Sequence, residues 1–418
     1  MKKLVMVFVF LLVTGCLTLA TVSHAFFVGF GSAGGVEQVI KKGQDEGKIP
    51  KVPDTGETTP AGPVQYTNAE TVWQKLWDGG NDDYGNGIAV DSSGNVYVTG
   101  SSSSVANYDF MTIKYNSSGD TVWQKVWNGG VWDRGYGIAV DDTGNIYVTG
   151  CCTGAYSSTF DYLTIRYNSN GDTIWQKAWD SGNDDYGYGI AVDDTGNVYV
   201  TGCSSDGVNF DFMTIKYDTN GNTIWQKRWN GGSEDKGYGI AVDSLGNVYV
   251  TGCSKYGGNF ELMTIKYNSN GDPVWDKRWD GGNDGYGIAV DSSGNVYVTG
   301  RLWNGLDYNF ITVKYNSSGS IVWNKTWDVL VHGVGQGIAV DSSGNVYVTG
   351  YFRKDSNYNC LTVKYNSNGD TIWQKVWDRG VDDRGYGIAV DSSDNVYVTG
   401  NTWSAASSDY LTIKYRQY

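Results

Sequence analysis

Five aspartates occupy the same position in five copies of a repeated phrase, and their spacing suggests a chemical role. Each one lies four residues before the glycine of a GIAV phrase: Asp83, Asp133, Asp185, Asp235 and Asp383. Carboxylate oxygens are the ligands that Ca²⁺ prefers, so a ring of them could bind this ion. Aspartate also hydrogen-bonds the backbone of a turn, and we favour that structural interpretation. We therefore predict no cofactor, with Ca²⁺ at these five residues as the alternative.

A second set of residues could bind a ligand by stacking. The segments that follow each YVTG phrase, and those that join one copy to the next, differ between copies. They carry these aromatic and basic candidates: Trp132, Tyr256, Arg301, Trp303, Tyr351, Phe352, Arg353 and Trp403. An aromatic ring beside a guanidinium can stack on a sugar or hold a protein partner. The alternative is that these side chains pack against their own loops, since single aromatics on a surface are ordinary.

The sequence offers few residues for acid–base catalysis. It contains two histidines, and His24 lies in the N-terminal segment, so a catalytic triad would depend on His332 alone. A pair of carboxylates could still cleave a glycosidic bond, but no such pair stands out. We therefore favour a protein without catalytic activity. The alternative is a carbohydrate-acting hydrolase or lyase that uses carboxylates of the divergent segments.

A repeat of about fifty residues supplies the elements that must position these side chains. The GIAV glycine recurs at seven positions: 87, 137, 189, 239, 287, 337 and 387. Each copy has four short runs rich in Val, Ile, Thr, Tyr and Trp, such as NVYVTG and TVWQKVW. These runs alternate in polarity and are too short for stable helices, so they predict strands. Four strands per copy are the content of one blade of a β-propeller.

The turns and residue sizes support this architecture. DSSGN-type and YNSSGD-type segments predict tight turns, so each blade should be an antiparallel meander. The first strand carries small residues such as Gly87 and Ala89, whereas the fourth carries two Trp, for example Trp123 and Trp127. Blades around an axis are wedges, crowded at the centre and splayed at the rim. Small residues inside and large residues outside fit that shape.

The two ends of the repeat region complement each other. A fourth-strand phrase, TVWQKLW, stands at 71–77 before the first GIAV, and the chain stops after a third-strand phrase, DYLTIKY, at 409–415. If these segments pair, the N-terminal strand completes the last blade and closes the ring without an exposed edge. The sequence therefore predicts an all-β, seven-bladed propeller over residues 71–418, with twenty-eight strands.

The repeat resembles the bacterial seven-bladed β-propeller repeat family abbreviated SBBP. The resemblance is carried by GIAVDSSGNVYVTG followed by YDFMTIKYNSSGDTVWQKVW, and by the copy number. It implies a secreted or surface-attached propeller without an assigned catalytic activity, and it carries over no functional residues.

In such a ring, the two kinds of turn emerge on one face and are nearly invariant among the copies. The loops between second and third strands, and those between blades, emerge on the opposite face and diverge. Variable loops on a rigid ring are the usual place for recognition. We expect the aromatic and basic candidates to lie there and to bind a protein or a glycan at the cell surface.

Cysteine adds little to this interpretation. Cys151, Cys203 and Cys253 hold the same position in three successive blades, where facing sheets lie about 10 Å apart. A disulfide needs Cα atoms within about 7 Å, so bonds between these blades are not expected. A vicinal bond between Cys151 and Cys152 is the alternative. Cys360 replaces a core Phe, and no cysteine spacing indicates zinc.

The N-terminus has the pattern of an export signal. A basic start is followed by the apolar run from Leu4 to Val22. SHA at 23–25 suits cleavage after Ala25, while VTGC suits a lipobox with lipidation at Cys16; an uncleaved anchor is the third alternative. Each alternative places the chain outside the cytoplasm, with the membrane involved only through this segment. Residues 1–25 thus form a signal and the Pro-containing 26–70 a flexible linker.

The net charge of −14 argues against one class of partner. A surface this acidic repels phosphate backbones, so we expect no nucleic-acid partner.

Overall fold

The computed structural model describes residues 69–104, 107–153, 159–279, 283–327, 332–404 and 407–418. The predicted signal, its Cys16, the cleavage point after Ala25 and nearly all of the predicted linker lie outside these residues. Within the described part of the chain, every regular element is a β-strand. Those residues contain no helix of the length and hydropathy needed to cross a membrane.

The strands, in chain order, have these bounds: β1 (Ala69–Trp77), β2 (Asp83–Val90), β3 (Val96–Ser103), β4 (Tyr108–Tyr115), β5 (Thr121–Trp127), β6 (Arg134–Val140), β7 (Ile146–Thr153), β8 (Phe160–Tyr167), β9 (Thr173–Trp179), β10 (Asp185–Val192), β11 (Val198–Ser205), β12 (Phe210–Tyr217), β13 (Thr223–Trp229), β14 (Asp235–Val242), β15 (Val248–Tyr256), β16 (Asn259–Tyr267), β17 (Pro273–Trp279), β18 (Asp284–Val290), β19 (Val296–Trp303), β20 (Tyr308–Tyr315), β21 (Ile321–Trp327), β22 (Gly333–Val340), β23 (Val346–Lys354), β24 (Asn357–Tyr365), β25 (Thr371–Trp377), β26 (Asp383–Val390), β27 (Val396–Trp403) and β28 (Ser408–Gln417).

These strands form seven four-stranded antiparallel sheets, which confirms the predicted propeller. Blades 1 to 6 are β2–β5, β6–β9, β10–β13, β14–β17, β18–β21 and β22–β25, and blade 7 contains β26–β28 with β1 as its outermost strand. The first strand of each blade contacts the first strands of both neighbouring blades, and β26 contacts β2. The ring is therefore closed around an axis lined by the seven first strands.

The DxxGNxY phrase, present in six copies and altered in the seventh by Asp394 in place of glycine, is explained by one hydrogen-bond network. In blade 3 the Asp193 carboxylate accepts bonds from Thr195 N–H at 3.0 Å, Asn197 N–H at 2.9 Å and the Tyr199 hydroxyl at 2.8 Å. It also accepts from the Asn197 amide at 2.8 Å and the Thr195 hydroxyl at 2.7 Å. Gly196 takes a positive φ of 80°, which glycine adopts without strain. The Asp, Gly, Asn and Tyr of the phrase thus each have a structural role in the turn.

The same carboxylate is bonded to its asparagine and tyrosine in all seven blades. The seven aspartates are Asp91, Asp141, Asp193, Asp243, Asp291, Asp341 and Asp391. Burial works against the charged form of Asp193, but the hydrogen bonds outweigh it and lower its pKa below the ordinary 3.8. The repeated phrase therefore stabilises the first-to-second turn of every blade through the same hydrogen-bonded carboxylate.

The tryptophans of the fourth strands connect each blade to the next one. Trp123 of blade 1 lies between Tyr97 of its own blade and Tyr167 of blade 2, with ring centroids 6.3 and 6.4 Å away. Its indole N–H donates to the Ser169 carbonyl in a blade 2 turn at 3.1 Å, and Trp127 donates to the Gln176 side chain at 3.0 Å. The rim aromatics therefore dock the blades, as their size predicts.

Glycine near the axis permits the close approach of strands. A Cβ added to Gly100 of β3 would lie 1.8 Å from the Tyr84 carbonyl oxygen and 2.4 Å from the Tyr410 hydroxyl oxygen. No side chain fits in that space. The small residues on the inner strands are therefore required by the narrow end of the wedge.

The seam between β1 and β28 closes the ring. Their register runs from Ala69 opposite Gln417 to Trp77 opposite Tyr410. Trp73 lies between Tyr397 of blade 7 and Tyr115 of blade 1, at 6.3 Å from each ring. The Trp377 N–H donates to the Gln74 side chain at 3.1 Å, which ties blade 6 to β1. β1 begins two residues before the phrase at 71.

The C-terminus compensates for a turn that blade 7 lacks. In other blades a third-to-fourth turn supplies the carbonyl that accepts from a Trp N–H of the preceding blade. Here the Gln417 side chain accepts from the Trp373 N–H at 3.1 Å and from Lys364 Nζ at 2.6 Å. Gln417 also donates to the Tyr347 hydroxyl at 3.1 Å. The seam thus reproduces the contacts of a continuous junction.

Five buried cysteines in the described residues are free thiols: Cys151, Cys152, Cys203, Cys253 and Cys360. The expectation that no disulfide joins Cys151, Cys203 and Cys253 agrees with this, and the vicinal alternative at Cys151 and Cys152 is not formed. Burial raises the pKa of Cys151 to about 12, so its thiolate is scarce at neutral pH. Cys360 is 1% exposed and belongs to the core, as its position predicts.

Candidate functional site on the loop face

The face that carries the second-to-third loops and the blade-to-blade loops is called the loop face here; the opposite one is the turn face. The first strands extend further toward the loop face than the GIAV phrase indicates. β2 begins at Asp83, and its register shifts between Gly85 and Gly87. A bulge of this kind re-aims side chains. The residues before GIAV therefore line the axis, which the sequence analysis did not predict.

Tyrosines lie around the axis directly before five of the seven GIAV glycines. These axial tyrosines are Tyr136, Tyr188, Tyr238, Tyr286 and Tyr386. In blades 2 to 5 their ring centroids lie 5.1, 5.3 and 5.2 Å from the next in turn. The Cys253 thiol lies 3.8 Å from the Tyr238 hydroxyl. The GYGIAV spelling of these copies was the signal that could have revealed them.

An aromatic collar surrounds the axis at the loop face. It consists of the aromatic residue at the loop-face end of the third strand in blades 1 to 6: Tyr108, Phe160, Phe210, Phe260, Tyr308 and Tyr358. Arg134 lies 4.7 Å above the Tyr108 ring and Lys236 lies 5.0 Å above Phe210. Tyr186 contacts Phe160 at 5.1 Å. In these three junctions the partner comes from the following blade, so the contacts of the collar cross blade boundaries.

Three of the predicted ligand-binding residues are brought together in blades 5 and 6. Trp303 contacts Tyr308 at 5.0 Å, and Arg301 lies 4.3 Å above the same ring. Tyr351 contacts Tyr358 at 5.3 Å. His332 lies between Tyr308 and Tyr358, 5.8 Å from each. Arg301, Trp303 and Tyr351 therefore belong to one chain of rings in edge-to-face contact, with the guanidinium over one of them.

The other candidates lie apart from this group. Trp132 stacks on Tyr108 at 5.3 Å in the junction of blades 1 and 2. Tyr256 is 60% exposed on the blade 4 hairpin, and Trp403 is 38% exposed on blade 7. Arg353 is exposed on the blade 6 hairpin.

Phe352 differs from the other candidates because it does not face the solvent. It is 8% exposed and packs edge-on against Trp327 at 5.2 Å. Neighbouring residues of a strand point to opposite faces, so Tyr351 faces the collar while Phe352 enters the core between blades 5 and 6. Its place in the divergent segment therefore reflects packing.

A cavity of about 240 Å³ opens between blades 4 and 5 on the loop face. Blade 4 contributes Gly258, Asn259 and Phe260, and blade 5 contributes Arg301, Trp303 and Tyr308. Arg301 forms an ion pair with the buried Asp284. The cavity thus combines aromatic rings with polar groups whose charge is balanced.

A second cavity, of about 270 Å³, lies on the turn face between blades 2 and 3. Its walls include the turns at Asp141 and Asp193 and the side chain of Arg166. Arg166 donates to the Thr219 carbonyl at 2.6 Å and lies 5.4 Å from the Tyr147 ring. It occupies the position that lysine holds in the other blades, so this cavity is formed mainly by scaffold residues.

The five aspartates of the calcium hypothesis lie in five separate blades. All are fully buried, and each accepts backbone N–H bonds from its own blade-to-blade loop: Gly79 to Asp83, Gly129 to Asp133, Ser181 to Asp185, Gly231 to Asp235 and Arg379 to Asp383. Among the described residues, no three His, Cys, Asp or Glu side chains form a group suited to a metal ion. These contacts are the turn bonding that we favoured; the prediction of no cofactor, and its alternative of Ca²⁺ at these residues, stay untested.

Half-buried and fully buried acids meet at several blade junctions, a feature that the sequence analysis missed. Asp161 on the third strand of blade 2 lies near Asp185 of blade 3, and Asp109 near Asp133 repeats the arrangement one blade earlier. Desolvation, then repulsion from Asp180 and Asp185, raises the pKa of Asp161 to about 6. In the described structure its Oδ1 is buried without a hydrogen-bond partner.

These acids predict a pH dependence of stability. Because the folded-state pKa of Asp161 lies above the ordinary 3.8, the folded chain binds a proton that the unfolded chain releases between about pH 4 and pH 6. Stability should therefore rise as the pH falls from 7 to 5. We expect Asp161→Asn to be more stable than wild type at pH 7, with a weaker dependence of Tm on pH.

The measurement is thermal unfolding at several pH values for wild type, Asp161→Asn and Asp172→Asn. Asp172 is an exposed turn residue of the same blade and serves as the control. A Tm of wild type that is constant or falls between pH 7 and pH 5 would contradict the assignment.

Fold and geometry together define a seven-bladed β-propeller with an aromatic loop face. The model of the SBBP family, described as a beta-propeller repeat, matches the chain at 76–109, 131–150, 179–211, 230–255, 281–303, 334–351 and 378–405. Seven matches to the SBBP repeat thus run through the chain, which confirms the resemblance drawn from the sequence. No curated protein matches the chain.

Solved structures of low sequence identity share the fold. The WD40 β-propeller domain of Doa1 is similar with a TM-score of 0.57 and 12% identity, covering 84% of this chain and 98% of that one. Sqt1 of Chaetomium thermophilum, solved with the N-terminus of ribosomal protein L10 bound, has a TM-score of 0.50 and 8% identity, covering 81% and 98%. At these identities the likeness concerns the fold alone.

Proposed function

We propose that this protein is a non-catalytic scaffold outside the cytoplasm that binds a protein or a glycan through its loop face. The observation that carries the proposal is the aromatic collar with its neighbouring exposed rings. Trp303, Trp403 and Tyr256 remain 42%, 38% and 60% exposed on loops that differ between blades. Exposed aromatics beside arginine are typical of recognition surfaces.

The contrast between the two faces supports this choice. On the turn face, seven near-identical aspartate networks use the side chains of the turns for internal bonds. On the loop face, the residue that follows YVTG differs among blades 5 to 7, where it is Arg301, Tyr351 and Asn401, while blades 2 to 4 share a cysteine there. A rigid ring that varies on one face alone favours recognition on that face.

The proposed location rests on the N-terminal sequence. The basic start and the apolar run from Leu4 to Val22 favour export, with either cleavage after Ala25 or lipidation at Cys16. A partner at the cell surface follows from this location. The fold itself suits protein ligands, since Sqt1 is a propeller with a bound peptide segment.

A binding and turnover screen tests the proposal. Residues 69–418 are applied to a glycan array and used for capture of surface proteins, and the same glycans are assayed for cleavage. We expect retention of a specific ligand without product release. Retention of no glycan and no protein, or turnover that persists at low protein concentration, would contradict the scaffold.

One observation favours the second candidate, a carbohydrate-acting hydrolase or lyase. His332 Nδ1 lies 3.2 Å from the Asp307 carboxylate, next to the collar. His332 has a positive φ of 25°, rare for residues other than glycine, and such conformations cluster at functional sites. Although burial opposes it, hydrogen bonds from Tyr308 and His332 lower the pKa of Asp307. If the screen detects cleavage, His332→Ala should abolish it.

A further inference from the structure

The cavity between blades 4 and 5 has a preformed aromatic wall. Trp303 and Tyr308 are cross-strand partners whose rings meet at 61°. The backbone N–H of Trp303 donates to the Asn283 side-chain oxygen at 3.0 Å, which fixes the end of β19. The Trp303 ring nevertheless stays 42% exposed. Covering such an ordered but solvated ring with an apolar surface is favourable, because apolar area is removed from water and little side-chain freedom is lost.

The polar groups of this cavity carry no net charge. The Arg301 guanidinium pairs with Asp284 and stacks on Tyr308 at 4.3 Å, so its position is fixed from two sides. Asn259 adds an exposed amide at the opposite wall. Guanidinium and amide groups donate hydrogen bonds to hydroxyl oxygens. Since Asp284 already balances Arg301, the site offers hydrogen bonds without selecting an anion.

The size of the cavity favours a small unit over a protein surface. Stable protein interfaces bury about 1,200–2,000 Å² in total, whereas ligand pockets occupy a few hundred Å³. The cavity measures about 240 Å³ and is bounded by two adjacent blades. An occupant with apolar faces and equatorial hydroxyls, the surface of a sugar ring, matches this mixture of walls.

We propose that this blade 4–5 cavity binds one unit of a neutral saccharide, with the Trp303 ring covering the sugar face and Arg301 and Asn259 bonding its hydroxyls. This inference rests on the proposed function and narrows it to one ligand class and one place on the loop face. It assigns Trp303 as the main binding residue.

Blade 7 offers a matched control for Trp303. Trp403 lies at the same register position of its second strand and is 38% exposed. Its cross-strand partner is Ser408 instead of a tyrosine, and Asn401 replaces the arginine. Trp403→Ala therefore removes an equally exposed indole from a position without the cavity.

The test is calorimetric titration of wild type, Trp303→Ala and Trp403→Ala. The probes are cellohexaose, maltohexaose, mannohexaose and chitohexaose, with hexagalacturonate as the acidic comparison. We expect at least one neutral hexasaccharide to bind wild type, with affinity reduced tenfold or more in Trp303→Ala and within twofold in Trp403→Ala. Thermal unfolding of both variants verifies that each is folded.

Two results would overturn the inference. One is a wild type that binds none of the neutral probes; the other is equal binding by wild type and a folded Trp303→Ala. In either case, retention of a ligand in the array and capture screen would leave the proposed scaffold function intact. If that screen also retains no ligand, the scaffold function and the saccharide site are both contradicted. Preference for hexagalacturonate would contradict the neutral-sugar assignment alone.

Discussion

A chain that begins at Asp78 will unfold at a much lower temperature than one that begins at Ala69, and it will associate. Removal of β1 takes two tryptophans out of the seam and leaves β28 as an exposed edge. Trp73 and Trp77 both pack against the core of blade 1. The loss of two such side chains costs about 5 kcal/mol or more, a large part of the stability of an ordinary domain.

The comparison uses three chains, beginning at residues 26, 69 and 78. The first two contain β1 and should have the same Tm and the same assembly state. The third should show a lower Tm and larger species by light scattering, since an unpaired strand edge recruits other strands. If all three chains unfold at the same temperature as the same species, the seam does not stabilise the ring.

The second large effect concerns Asp193, whose carboxylate accepts five hydrogen bonds in one turn. Asp193→Ala leaves the Tyr199 hydroxyl and the Asn197 donors without this acceptor. The buried Tyr199 ring cannot move its hydroxyl to water without disturbing the junction between blades 3 and 4. We expect a loss of about 3 kcal/mol, the cost of losing five hydrogen bonds to a carboxylate, three of them partly buried.

Asp194 is the matched control because it is the next residue and is exposed. Asp194→Ala should change the unfolding free energy by less than about 0.5 kcal/mol. Urea unfolding of both variants measures the difference. The pKa of Asp193 is lowered in the folded chain, so its contribution is present above pH 3.8 and declines below it. Equal destabilisation by both variants, or none by Asp193→Ala, would contradict this role.

The fold could be predicted because its causes repeat. Similar turn residues and the same alternation of polarity recur in all copies, and the two ends of the repeat region complement each other. The structure confirms the blade count and the closure by β1 that these patterns predict. The turn bonding of the aspartates before GIAV also follows from local chemistry, since each binds the backbone of its own loop.

The site was harder to predict because it depends on contacts between blades. The collar pairs Tyr108 with Arg134 and Phe210 with Lys236, residues separated by a blade boundary. The paired acids at Asp161 and Asp185 arise in the same way. Phe352 illustrates the opposite error, because a divergent segment also contains core positions. Only the positions of the strands in the folded ring show which residues of a divergent segment meet a neighbouring blade at the surface and which enter the core.

The aspartate turns have a consequence for how such a protein can evolve. Each blade is held by a network that lies on the turn face and by indole bonds that point to the following blade at the rim. The hairpin tips of the opposite face contribute to neither. Exchanging one tip for another therefore leaves both of these sets of contacts in place, so the tips can diverge one blade at a time.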